Sequence, residues 1–234
     1  MKKSKESRGI SIKLVEHYGT GAVFMLFPLC FVAAQLMHPN MLHMSLISNG
    51  REWIAHFRGQ SLLHAAHALE FLCAPLLIIM SLHYKRVLRG SAPRLGFIGV
   101  AMSFTGALML LANKSVLCLT ISAFETLPDD ALMGLAPGLD VMLRREGWMA
   151  LLWLLPLLPL GFTVIGVALF KTRLVPRRQS ILLIIGSLML ANPEIELVNF
   201  IASVLLALGL IPYAVRLLRT GPPVDVTDST EHGK

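Results

Sequence analysis

The chain has little charge. Asp, Glu, Lys and Arg make up 15% of its 234 residues while 55% are hydrophobic, where soluble domains carry about 25% charged residues. Together with apolar runs too long for a soluble globule, this excludes an ordinary soluble fold. Cysteine is scarce too. Cys30, Cys73 and Cys118 lie far apart with no C-x-x-C pair, which argues against a disulfide framework and against a quinone-coupled thiol oxidase; they read as packing groups. No phosphate-binding glycine loop, no G-x-S-x-G and no kinase signature occurs, so nucleotide hydrolysis has no support. There is neither a fixed-period repeat nor a segment that reads as a separate soluble domain.

What is present is a series of hydrophobic runs. A hydrocarbon core of about 30 Å takes about 20 helical residues per crossing. The runs fall at about 19–37, 61–83, 95–112 with an apolar continuation to Phe124, and 147–170. Residues 179–218 hold two more helices, a short fifth and a long sixth, because "ANPEIELVN" interrupts them. A helix over 179–191 rises only about 20 Å. Asn192 reads as a helix N-cap, with Pro193 at the first helical position and Glu194 and Glu196 in the first turn. The expected fold is an all-α polytopic transmembrane bundle of six helices with short loops. Residues 1–18 form a basic cytoplasmic segment, 19–218 the transmembrane domain, and 219–234 a polar cytoplasmic tail.

The head resembles the n-region of a signal peptide, with Val32-Ala33-Ala34 as a cleavage site. Its length, and an apolar run nearly long enough to span, favour an uncleaved crossing. Net charge is +7. In a soluble protein that would suggest nucleic acid, but here the basic residues flank the hydrophobic runs and report topology. With both termini inside, only Arg51, Arg58, Lys114, Arg144 and Arg145 fall outside, out of 21 Lys and Arg. The expected setting is therefore a bacterial inner membrane, with the lipid bilayer as partner and no nucleic acid.

Two external segments look structured. In "LISNGREWIAHF" the residues Leu46, Ile47, Trp53, Ile54 and Phe57 recur at helical spacing, and Asn49 and Glu52 are placed for a capping box. A short interfacial amphipathic helix is expected there, and another within Glu125–Glu146. Pro156 and Pro159 should kink the fourth helix, and Trp53, Trp148 and Trp153 read as interfacial anchors. Gly99, Ser103 and Ala107 give a small-xxx-small face, suited to packing within the chain, to a homo-oligomer or to a membrane partner.

The chemistry lies in "FRGQSLLHAAHALEFL". His64, His67 and Glu70 follow at three-residue intervals on one side of the second helix, one turn beyond Gln60. A carboxylate in hydrocarbon needs a partner, water or a proton. The sixth helix has a matching stripe of Glu196, Asn199 and Ser203 at its outer end, and two stripes at one depth suggest that they meet. Gln35 and His38, and Asn113 with Lys114, are placed to join them.

Three readings follow. His64, His67, Glu70, Glu196 and Asn199 line a proton or substrate path in a small transporter, a membrane sensor or a partner subunit. Alternatively His64, His67 and Glu70 hold a divalent metal such as zinc, and the chain is a hydrolase-like membrane metalloenzyme with Glu70 or Glu196 as general base. In the third, the same residues only tie helices together. A haem is disfavoured, because the inner half offers only His83 as a second axial ligand.

Overall fold

In hydrocarbon every backbone N–H and C=O must bond within its own segment, which leaves long apolar runs the choice of helix or closed barrel. The leucine- and alanine-rich runs of this chain take the helix. A computed structural model describes residues 2–39, 47–192 and 195–221. All regular structure among them is helical: α1 (Lys2–Leu36), α2 (Gly50–Phe57), α3 (Ser61–Leu88), α4 (Pro93–Asn113), a π-helical segment (Lys114–Leu119), α5 (Thr120–Phe124), α6 (Asp129–Gly134), α7 (Ala136–Leu143), a 3-10 segment (Gly147–Leu154), α8 (Leu157–Thr172), α9 (Arg177–Met189) and α10 (Glu196–Thr220).

Five stretches are long and apolar enough to cross a membrane: Leu14–Leu36, Ser61–Leu88, Pro93–Phe124, Gly147–Thr172 and Glu196–Thr220. The protein is a multi-pass membrane protein. The sixth rod, α9, has 13 residues and rises about 20 Å, short as its sequence implies and outside the set of five. α1 is longer than the hydrophobic pattern alone indicates, since the basic head continues the same helix.

The six rods close into a ring. α1 packs on α3, α3 on α4, α4 on α8, α8 on α9, α9 on α10, and α10 back on α1. Phe24, Phe27, Met80, Phe162, Ile165, Leu206 and Leu210 fill the core. The α4–α8 seam is the tightest. A Cβ on Gly106 would land on the Leu158 backbone, and one on Gly161 would land on that of Ser103. Ser103 also meets Ser81 of α3, hydroxyl to hydroxyl at 2.8 Å. Gly99, Ser103 and Ala107 are all buried, and Gly99 faces Gly161 and Ile165 of α8. Packing within the chain is thus the use of this small-residue face that the structure displays.

Three local expectations are corrected. Pro156 and Pro159 do not kink a continuous helix; the chain runs as a 3-10 segment to Leu154 and α8 starts at Leu157 behind Pro156, since proline is tolerated in a first turn, where its missing N–H has no partner to lose. Trp148 is 91% exposed and Arg145 lies 4.7 Å over the Trp153 ring, but Trp53 is buried and is no interfacial anchor. α10 begins at Glu196. Pro193 and Glu194 lie outside the described residues, as do Leu46 and the tail beyond Gly221.

Trp53 is buried because the two amphipathic segments cover each other. Trp53, Ile54 and Phe57 of α2 pack with Leu63, Leu117, Ile121, Leu132 and Leu139 as a second hydrophobic cluster, so α2 and α5–α7 form one cap over one end of the bundle. Asn49 caps α2 by accepting from the Glu52 N–H at 2.9 Å. Glu52 reaches back one residue further than a capping box requires, accepting from the Ser48 N–H and hydroxyl, and these bonds hold its carboxyl below the usual range. The Gly50 N–H donates to Asp140 at 2.5 Å, Arg58 pairs with Asp129, and the Gly59 N–H donates to Glu125 at 3.0 Å. Gly50 is needed there, because a side chain would run into the Ala136 carbonyl.

Candidate functional site

The cap sits over the N-terminal half of α3. There Glu70 is 5% exposed and surrounded. Its Oε1 accepts from the Gln35 amide of α1 at 2.6 Å, its Oε2 lies 3.2 Å from His67 Nδ1, and the Lys114 ammonium forms an ion pair with it. Lys114 Nζ is also 3.0 Å from His67 Nδ1. One imidazole nitrogen therefore faces a carboxylate and an ammonium together. Protonated, Nδ1 donates to Glu70; unprotonated, it accepts from Lys114. It cannot do both, so a proton on His67 is exchanged against a rearrangement of its two charged neighbours.

Lys114 reaches the site from the first residue of the π-helical segment. The extra residue in each π turn changes where side chains point, and such segments concentrate at functional sites. Nothing in "LLANKSVLCL" announces it. His38 packs edge-on to His67 with ring centroids 5.2 Å apart. Its Nδ1–H donates to the Ala34 carbonyl at 2.9 Å, which leaves Nε2 to act in either role. From the cap, Phe57 lies against His67 at 5.3 Å and 21° and closes the centre from above.

Of the residues singled out by sequence, His67 and Glu70 thus form one centre with Gln35, His38 and Lys114. His64 turns away from it. Its Nε2 is 2.9 Å from Glu125 Oε1 but lacks hydrogen-bond alignment, which ties α3 to the cap. Asn113 is buried with its carbonyl oxygen unpartnered.

The α10 stripe does not meet the α3 stripe directly. Among the described residues no hydrogen bond or ion pair joins Glu196 or Asn199 to His64, His67 or Glu70, because α1 stands between α3 and α10 in the ring. Glu196 instead faces His56 of α2 at 3.8 Å, and its second oxygen is buried without a partner. Burial pushes the His56 imidazole below its usual range, against the pull of Glu196. Asn199 accepts from the Asn192 amide at 2.7 Å, and Asn192 accepts from the Ile195 N–H at 2.6 Å. Asn199 therefore holds the α9–α10 turn. His56 was not singled out by sequence, and only its place beside Phe57 on the face of α2 hints at it.

For a metal, the donor set is poor. Among the described residues no three His, Cys, Asp or Glu side chains converge on one point, and the Lys114 ammonium already supplies the positive charge between Glu70 and His67. Comparison with protein-family models, curated proteins and solved structures finds no match.

Proposed function

We propose that the protein is a small transporter or sensor of a bacterial inner membrane, with both termini cytoplasmic and the capped end on the outer side, and that protons or a small polar solute engage the centre at His67 and Glu70. The orientation is supported by the basic residues of the α3–α4 and α8–α9 turns, Lys85, Arg86, Arg89, Arg94, Lys171, Arg173, Arg177 and Arg178, which the positive-inside rule assigns to the cytoplasm. The function is carried by one observation: a carboxylate and an ammonium buried together against one imidazole nitrogen. Ionisable groups inside membrane helices are costly and mark proton or solute paths. Glu196 and His56, with Asn199 behind them, form a second polar station toward α10, and His64 with Glu125 borders the approach from the cap.

One observation favours a second reading. Glu70, His67, Lys114 and Gln35 bond to one another, as a purely structural pin between α1, α3 and the end of α4 would require. Proton flux into dye-loaded proteoliposomes separates the two. Transport predicts flux in the native protein that is lost in Glu70→Gln and His67→Asn variants of unchanged fold. A pin predicts no flux and a lowered thermal midpoint in both. One metal ion per chain in the purified protein, lost in a His64→Ala/His67→Ala variant, would replace both readings with the metalloenzyme.

A further inference from the structure

α3 carries a third histidine, His83, sixteen residues beyond His67 and so about 24 Å along the helix. At that end His83 Nε2 meets the Tyr213 hydroxyl of α10 at 2.7 Å. Phe24, Tyr84 and Tyr213 pack around the imidazole edge to face. The charged and titratable groups facing this pair are Tyr84 of α3, His17 from α1 and Arg216 from α10.

Beside Tyr213, the rods α3, α8, α9 and α10 leave a small cavity bordered by Tyr84, Tyr213, Gln179 and Ser180. Gly209 of α10 also borders it, at a point where a Cβ would press on the Gln179 backbone carbonyl at 3.2 Å. The cavity's volume of about 10 Å³ is room for one water and for no organic solute. Two of its lining groups are unsatisfied. Ser180 is 1% exposed, and neither its hydroxyl nor the Gln179 side-chain oxygen has a hydrogen-bond partner. Buried polar groups in folded proteins are partnered by protein or by ordered water.

We infer that this cavity binds one water molecule, and that the water joins Gln179 and Ser180 to the His83–Tyr213 pair as a proton-accepting node at the end of the bundle opposite Glu70. The valences fit. The water donates to the Gln179 oxygen, accepts from the Ser180 hydroxyl, and keeps a hydrogen and a lone pair for the tyrosine hydroxyls. Tyr213 can then pass a proton between the water and His83, losing its own proton to one as it gains one from the other, so that the phenol is unchanged. His67 and His83 become the two ends of a path, with the buried Leu77 and Met80 of the same helix between them. Water binding stands by itself, whereas its part in proton passage rests on the transport reading above.

The test uses the full chain in proteoliposomes. Water-edited solid-state NMR should show magnetisation transfer from water to the Gln179 and Ser180 side chains, weakened in Ser180→Ala and abolished at Gln179 in Ser180→Val, whose methyls fill the space. Absence of transfer in the native protein overturns the site. Proton flux decides the node: Tyr213→Phe should lower it at least ten-fold with the water signal at Ser180 retained, and native-like flux in that variant overturns the proton role. No flux even in the native protein removes the transport reading and the node with it, while the NMR result still decides whether water is bound.

Discussion

Phe57 of α2 lies nearly parallel to the imidazole of His67 on α3, with ring centroids 5.3 Å apart. The contact makes the cap part of the centre, since the ring that anchors α2 in its hydrophobic cluster also covers the histidine that answers to Glu70 and Lys114.

Removing that ring should both loosen and expose. Phe57 is buried, and truncation of a buried phenylalanine costs about 3–5 kcal/mol. Phe57→Ala is expected to lower the thermal midpoint in detergent and to speed modification of His67 by diethyl pyrocarbonate, read by mass spectrometry. Modification at the native rate would show that Phe57 does not seal the centre.

The Glu70–Lys114 pair predicts strong non-additivity. Lys114→Met leaves a buried carboxylate without its counter-ion, a loss of about 3–5 kcal/mol for buried pairs. Glu70→Gln added to it removes the charge and should recover most of that loss, because the glutamine amide still bonds with Gln35 and His67. A double-mutant cycle from denaturation in mixed micelles checks this. Additive effects would mean that the two side chains do not interact.

His56 makes stability fall with acid. Its folded-state affinity for protons is lowered by burial, more than Glu196 raises it, so below the ordinary histidine value of about 6.5 the unfolded chain binds the proton more readily than the folded one. This contribution is intact above that pH and is lost as the pH drops through it toward the lower folded value. His56→Gln should flatten the fall of the thermal midpoint between pH 7.5 and 5. An unchanged slope would assign the acid sensitivity to other groups.

The α4–α8 seam and the cap predict different outcomes at two glycines. Gly161→Val forces a branched side chain onto the Ser103 backbone and should cost at least about 1–3 kcal/mol. A Cβ added to Gly138 of α7 would meet nothing within 4 Å, and this glycine has no positive φ, so Gly138→Ala should be neutral or gain about 0.5 kcal/mol. Thermal midpoints of the two variants side by side check the contrast.

Hydrophobic runs near 20 residues were enough to read an all-α membrane bundle, because helix is what lets such a run satisfy its own backbone. The shortness of α9 and the turn at Asn192 were legible for the same reason, as was the Asn49 cap. Neighbourhood was not legible. Period and spacing show which face of α3 is polar, but not that α1 stands between it and α10, so of the residues placed to join Glu70 and His67 the structure brings Gln35, His38 and Lys114 and leaves out Glu196 and Asn199. Amphipathic spacing in α2 was equally compatible with lying on lipid or on α6 and α7, and only the packing buries Trp53. The π-helical geometry leaves no mark in residue type at all, so Lys114 could be named as a candidate without any sign of how it reaches Glu70.

That π-helical segment also sets where the chain tolerates a change of length. The Thr120 hydroxyl donates to the Ser115 carbonyl, five residues back, at 3.1 Å. A π turn holds one residue more than an α turn, so deleting one residue between Lys114 and Leu119 would let ordinary helix run from Pro93 to Phe124 with Ile121 and Glu125 still facing the cap. The same deletion within α4, where no residue is spare, would turn everything beyond it by about 100°, taking Ile121 from the cap and Glu125 from Gly59 and His64. A lost codon is thus absorbed in the one stretch and unseats the cap in the other.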